Sequence, residues 1–125
     1  MDEPLKILVI DDDEDIRTTF AAVLENEGYA VDTAENGKEA IEKSNNDLYR
    51  VALIDYRLPD MNGTELLTSL RETTPKMAKI MVTGYPALQN AIECLKKHAN
   101  AYFAKPVDYE NLLKTIKTLI QKQEE

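Results

Sequence analysis

Short, nearly pure apolar runs alternate with stretches of helical spacing along this chain, and that alternation decides the class of fold. Lys6–Ile10 (KILVI), Val51–Asp55 (VALID) and residues 79–83 (KIMVT) read as nearly pure apolar strands. Strands of that kind are covered on both sides. Residues 29–34 make a weaker second strand and Ala101–Ala104 a short fifth. Between strands one and two, Ile16, Phe20, Val23 and Leu24 recur at helical spacing, and Gly28 sits where a helix C-terminus favours glycine. Residues 38–45 have helix-forming composition after the turn signal Asn36-Gly37. Residues 64–72 put Leu66, Leu67 and Leu70 on one face before Thr73-Thr74-Pro75 stops them. A fourth helix is expected from Pro86 in its first turn to about His98, with Leu88, Ile92 and Leu95 in the core. A fifth is expected from an N-cap at Asp108 to about Gln121, after Lys105-Pro106 breaks the last strand.

Strands separated by helices imply a parallel sheet, and right-handed crossovers put helices on both of its faces. The expectation is an α/β, doubly wound, five-stranded parallel sheet. A chain of 125 residues fits one domain, 1–125, with its core over about 5–121. No run approaches the ~18 apolar residues of a membrane span. The short acidic opening MDEPLK does not read as a signal peptide. Cys94, the single cysteine, suits a reducing compartment, so the cytoplasm is the expected location. Acids outnumber bases 23 to 15, which argues against nonspecific binding to nucleic acid or to an anionic membrane.

In such sheets the working site lies beyond the carboxyl ends of the strands. Strand one is followed by Asp11, Asp12, Asp13, Glu14 and Asp15, strand three ends on Asp55, strand four on Thr83, and strand five is followed by Lys105. Asp13, Glu14 and Asp15 suit the cap and first turn of a helix. Asp11, Asp12 and Asp55 converge as three carboxylates that repel one another unless a cation joins them. Mg²⁺ takes such oxygen ligands. Lys105 adds a fixed positive charge and Thr83 a hydroxyl. Together they form the electrostatic clamp that phosphoryl transfer needs, with Asp55 as acceptor. Taken singly, each of these residues has an ordinary explanation; the signal is their joint arrival at one edge.

The segments ILVIDDDEDIR, LIDYRLPDMNG, IMVTGY and AYFAKP, in this order and spacing, resemble the receiver domains of two-component response regulators. The likeness extends over essentially the whole chain. It implies a flavodoxin-like fold with strand order 2-1-3-4-5. It implies that Asp55 accepts a phosphoryl group from a sensor histidine kinase or a histidine phosphotransfer protein. It also implies an Mg²⁺ site, with Mn²⁺ able to substitute, from Asp12, Asp55 and the backbone carbonyl of Arg57, with Asp11 acting through a coordinated water. Lys105 is implied to pair with Asp55 and then with the phosphoryl group. Thr83 and the switch aromatic Tyr102 are implied to move on phosphorylation. The chain is then a phosphoacceptor that promotes its own phosphorylation and slowly loses the group, rather than an enzyme in the ordinary sense. Output is implied through the face of helix four, strand five and helix five. Whether phosphorylation pairs two copies stays open. No DNA-binding domain follows the last helix, so output is expected from protein contacts or from a domain outside this chain. Arg57 and Tyr85 are bulky at positions that tune aspartyl-phosphate lifetime in this family, and are expected to prolong it.

Other readings fit less well. A receiver-like module used only for binding would not need Asp55, Lys105 and the acid pair together. A flavin or nucleotide binder needs a Gly- or Ser/Thr-rich loop after strand one, where this chain has acids that repel phosphate. An aspartyl-phosphate hydrolase typically carries a second Asp two residues past its nucleophile, where this chain has Arg57, and no cap domain is visible. Cys94 reads as a packing residue, His98 as a cation near a helix C-terminus rather than a phosphodonor, and Pro59, Asn62 and Gly63 as loop punctuation.

Overall fold

Ten elements follow in strict alternation: β1 (Lys6–Ile10), α1 (Glu14–Asn26), β2 (Ala30–Ala34), α2 (Gly37–Asn46), β3 (Val51–Asp55), α3 (Gly63–Thr73), β4 (Ala78–Thr83), α4 (Leu88–Lys96), β5 (Ala101–Ala104) and α5 (Tyr109–Gln123). The computed structural model describes residues 3–84, 88–97 and 99–124, and for residues 88 and 89 the backbone only. Pro86, Tyr85 and His98 lie outside the described residues, as does the side chain of Leu88. All strand pairs are parallel and the order is β2-β1-β3-β4-β5, as the resemblance implies.

Strand pleating sorts the core into two layers. Leu8, Ile10, Ala52, Ile54 and Met81 face α2 and α3, where they meet Ala40, Leu66, Leu67 and Leu70. Ile7, Val9, Val51, Leu53, Ile80 and Val82 face α1 and α5, where they meet Phe20, Leu24, Leu112, Ile116 and Ile120. Every residue of β3 and β4 is buried, which explains the apolar runs at residues 51–54 and 80–82.

Helices α1, α2, α3 and α5 start on side-chain caps. Asp13 accepts from the N–H groups of Asp15 and Ile16, Asn36 from Glu39, Asn62 from Glu65, and Asp108 from Asn111. Each satisfies an N–H that has no partner within its helix. Gly28, at φ 96°, closes α1 in the left-handed region expected of its glycine.

One expectation fails. Ile92 and Leu95 are 44% and 51% exposed, not core. Cys94 takes the inward position instead and is fully buried in the layer with Met81. Cys94 thus fills the position of α4 that packs on the sheet, and Ile92 and Leu95 face solvent.

Candidate metal centre

Strand register assembles the site before any side chain is considered. Ile10 pairs with Ile54, so Asp11 and Asp55 stand side by side one step beyond them. Asp55 pairs with Val82, Thr83 with Ala104, and the N–H of Lys105 donates to the carbonyl of Thr83 at 2.8 Å. Pleat parity then divides the residues. Asp11 continues the parity of Ile7 and Val9, Asp55 that of Val51 and Leu53, and Lys105 that of Ala101 and Phe103, all on the α1–α5 side. Thr83 continues the parity of Met81, and Tyr102 packs with Met81 and Cys94 on the other side.

Carboxylate oxygens of Asp11, Asp12 and Asp55 lie within 4.8 Å of one another. Asp11 is almost wholly buried and held at both oxygens: Oδ1 accepts from the N–H of Asp13 at 2.9 Å and Oδ2 from Lys105 Nζ at 2.7 Å. Lys105 Nζ stands farther from Asp55, 3.7 Å from Oδ1. The expected Lys105–Asp55 pair is thus a shared ammonium whose nearer partner is Asp11. Burial first, and then the charge of Asp11, pushes the Asp55 carboxyl up to about 6; Lys105 opposes this, Asp12 adds to it, and the N–H of Arg57 opposes it. One ammonium does not neutralise three convergent carboxylates. An all-oxygen donor set with surplus negative charge fits a hard divalent cation.

The loop after Asp55 is tied down at several points. Arg57 bridges Asn62, Leu58 donates to Met61, and Gly63 donates to the carbonyl of Tyr56 at 2.6 Å. Gly63 is needed there. A Cβ would meet the methyl of Met81 and lie 3.0 Å from the Tyr56 Cα and 3.1 Å from the Asp55 carbonyl oxygen. Asp60 docks the loop on α2, accepting at 2.9 Å from each of the N–H groups of Gly37 and Lys38. Arg17 donates to the Asp11 carbonyl at 2.8 Å from the first turn of α1. Neither Asp60 nor Arg17 stands out in the sequence. Asp60 reaches across 23 residues, so nothing local marks it.

Thr83 is fully buried at the end of β4. Tyr102 is half-buried, and burial with the proximity of Cys94 and Tyr56 raises its phenol above the usual range.

Comparison with known proteins gives one answer throughout. Residues 7–117 match the family described as the response regulator receiver domain. The transcriptional regulatory protein ZraR of Klebsiella oxytoca is 35% identical over 114 residues, which are 91% of this chain and 26% of that protein. The chain therefore spans about a quarter of that relative. A CheY-like receiver domain from Methanospirillum hungatei superposes with a TM-score of 0.93 at 43% identity, covering 97% of both chains. A response regulator from Burkholderia pseudomallei, solved with a phosphorylated aspartic acid, calcium ion and citrate, superposes with a TM-score of 0.86 at 31% identity over 96% of this chain and 71% of its own.

Proposed function

Since the chain belongs to the response regulator receiver domain family, we propose that it is the phosphoacceptor switch of a two-component phosphorelay, with Asp55 as the acceptor. The observation that carries this is a buried Asp55 whose carboxylate shares one ammonium, Lys105, with Asp11 in a cluster of three acids. The carboxylate of Asp55 attacks the phosphorus of a phosphohistidine on a sensor kinase or phosphotransfer protein. The new O–P bond forms as the P–N bond breaks, and the bond pair leaves with the imidazole. Asp11, Asp12, Asp55 and the carbonyl of Arg57 are the residues that would hold Mg²⁺, or Mn²⁺ in its place. When bound, the ion supplies the positive charge that offsets carboxylate repulsion and opposes the phosphoryl oxygens. Lys105 gives up its contact with the carboxylates for a phosphoryl oxygen. Thr83 donates its hydroxyl to another, and Tyr102 follows into the space Thr83 leaves. The changed face of α4, β5 and α5 then alters contacts with an output protein, and a second copy of the chain is a candidate for the same face. No described helix is long and apolar enough to cross a membrane, and the cytoplasm is the proposed setting.

The test is intact mass after incubation with acetyl phosphate, with and without Mg²⁺, beside Asp55→Asn. The expected result is one added phosphoryl group that needs both the metal and Asp55. Addition to Asp55→Asn at the wild-type level would overturn the assignment.

A further inference from the structure

The opposite edge of the sheet carries the inverse arrangement. Where the carboxyl ends gather acids, the amino ends of β4 and β5 meet the C-terminal ends of α3 and α5 around a cleft of about 350 Å³. Arg71, Lys76, Lys79 and Lys122 line it, and no acid does among the described residues. In a chain of formal net charge −8, that grouping stands against the overall balance. None of these four cations forms a salt bridge among the described residues. Arg71 and Lys122 stand in the last turns of α3 and α5, where helix dipoles favour a cation.

Lys79 is the unusual member. It is a lysine on a central strand, 3% exposed. Its Nζ donates to the carbonyls of Thr74 at 3.0 Å and Met77 at 2.8 Å, which leaves one of its three N–H donors over. Burial, and then the charge of Arg71, holds its ammonium below the usual lysine range. Asn100 accepts from the backbone N–H of Lys79 through Oδ1, so its amide N–H₂ is a further donor at the same rim.

We propose that this cleft is a binding site for a small anion carrying two or more phosphate charges, held by Arg71, Lys76, Lys79 and Lys122. The cleft has the volume of a small-molecule site. Arg71 supplies a planar fork for two phosphoryl oxygens and the lysines supply point charges. Pro75 and Leu119 add apolar lining for the body of a larger ligand. The site lies at the far edge from Asp55, so it neither requires nor excludes the phosphoacceptor role.

The probe is inorganic pyrophosphate, titrated with EDTA present so that metal binding at the acidic edge plays no part, and followed by backbone amide NMR. The expected result is saturable shifts centred on Lys76, Lys79, Asn100 and Lys122. The exposed pair Arg71→Glu with Lys122→Glu should weaken binding about tenfold or more, since it replaces two cations at the cleft by carboxylates that repel phosphate. Lys114→Glu with Lys117→Glu makes the same change in net charge on α5 outside the cleft, and should weaken binding far less. Unsaturable shifts spread over the surface lysines would overturn the proposal. So would equal weakening by the two double variants, since net charge alone would then account for the binding.

Discussion

Lys105 serves two carboxylates at once, and the third, Asp12, is exposed beside them. That imbalance predicts a measurable response to metal. At ten times its dissociation constant, Mg²⁺ stabilises the fold by about 1.4 kcal/mol. For a chain of this size the midpoint of thermal unfolding should rise by about 5 °C. Asp12→Asn should fold normally and show much less of the rise. Calorimetry with EDTA and with Mg²⁺ decides it, and an undiminished rise in the variant would remove Asp12 from the site. Cys94 makes a separate prediction. It is fully buried, and burial pushes its thiol up to about 11. At pH 8 only about one thiol in a thousand would be ionised. A disulfide reagent should therefore label the native protein orders of magnitude more slowly than the unfolded chain; comparable rates would contradict the packing of Cys94 against the sheet. These residues differ in how far the sequence reveals them. Asp11, Asp12, Asp55, Thr83 and Lys105 are legible because apolar runs fix the strand ends, and the polar residues at those ends land at one edge. Asp60 is not, since it reaches α2 across 23 residues; nor are Arg17 and Lys79, since they donate to backbone carbonyls, which any residue supplies, so no pattern of residue types marks them.

Among the elements, strands β1, β3 and β5 match the sequence reading residue for residue, and β2, α2, α3 and β4 differ by one residue at one end or both. Strands buried on both faces announce themselves as apolar runs. Helix α4 is harder, because periodicity identifies a helix but not which stripe turns inward when its buried side chain is a cysteine. The loop between β3 and α3 is where elements are joined by single residues, and two substitutions probe it. Asp60→Ala removes two acceptors from the start of α2 and should cost about 1 kcal/mol, at the scale of a lost cap and reduced by solvent screening. The N–H of Gly37 is the main cause holding the Asp60 carboxyl below its ordinary range. The unfolded chain therefore takes up that proton first as pH falls. The contribution is complete above the ordinary carboxylate range and is lost as pH drops through the lowered value. The stability gap between wild type and variant should close in acid, and denaturant midpoints at pH 7 and at about pH 3 test this. Gly63→Ala places a Cβ against Met81 and the backbone that bears Asp55. A cost of about 1–3 kcal/mol is expected. A neutral result would mean that the loop can shift away from the strand end.

Over the whole molecule, the sheet separates two tasks. Asp11, Asp55 and Lys105 share the parity of the α1–α5 layer, while Thr83 and Tyr102 belong with the layer that includes Cys94 of α4. In the proposed switch, a phosphoryl group on Asp55 would act on α4 through a change that crosses the sheet, and Thr83 is a buried residue placed at that crossing. Register supports this: Thr83 pairs with Ala104, and Tyr102 pairs with Met81 two residues earlier on the same two strands. Acceptance of the group and its transmission should therefore be separable. Thr83→Ala is expected to take up one phosphoryl group from acetyl phosphate, because Asp55, Lys105 and the acid pair are untouched. Its amide shifts on phosphorylation should stay near Asp55 and Lys105. In wild type they should extend to Tyr102 and to Ile92 and Leu95 on the exposed side of α4. The comparison needs both proteins at matched phosphorylation, verified by mass, since a variant that merely loses the group faster would also look silent. Wild-type shifts at α4 in fully phosphorylated Thr83→Ala would show that the signal crosses elsewhere. The loop docked by Asp60 on α2 would then be the next route to cut, because it is the other structure that begins at Asp55 and ends on the α2–α3 layer.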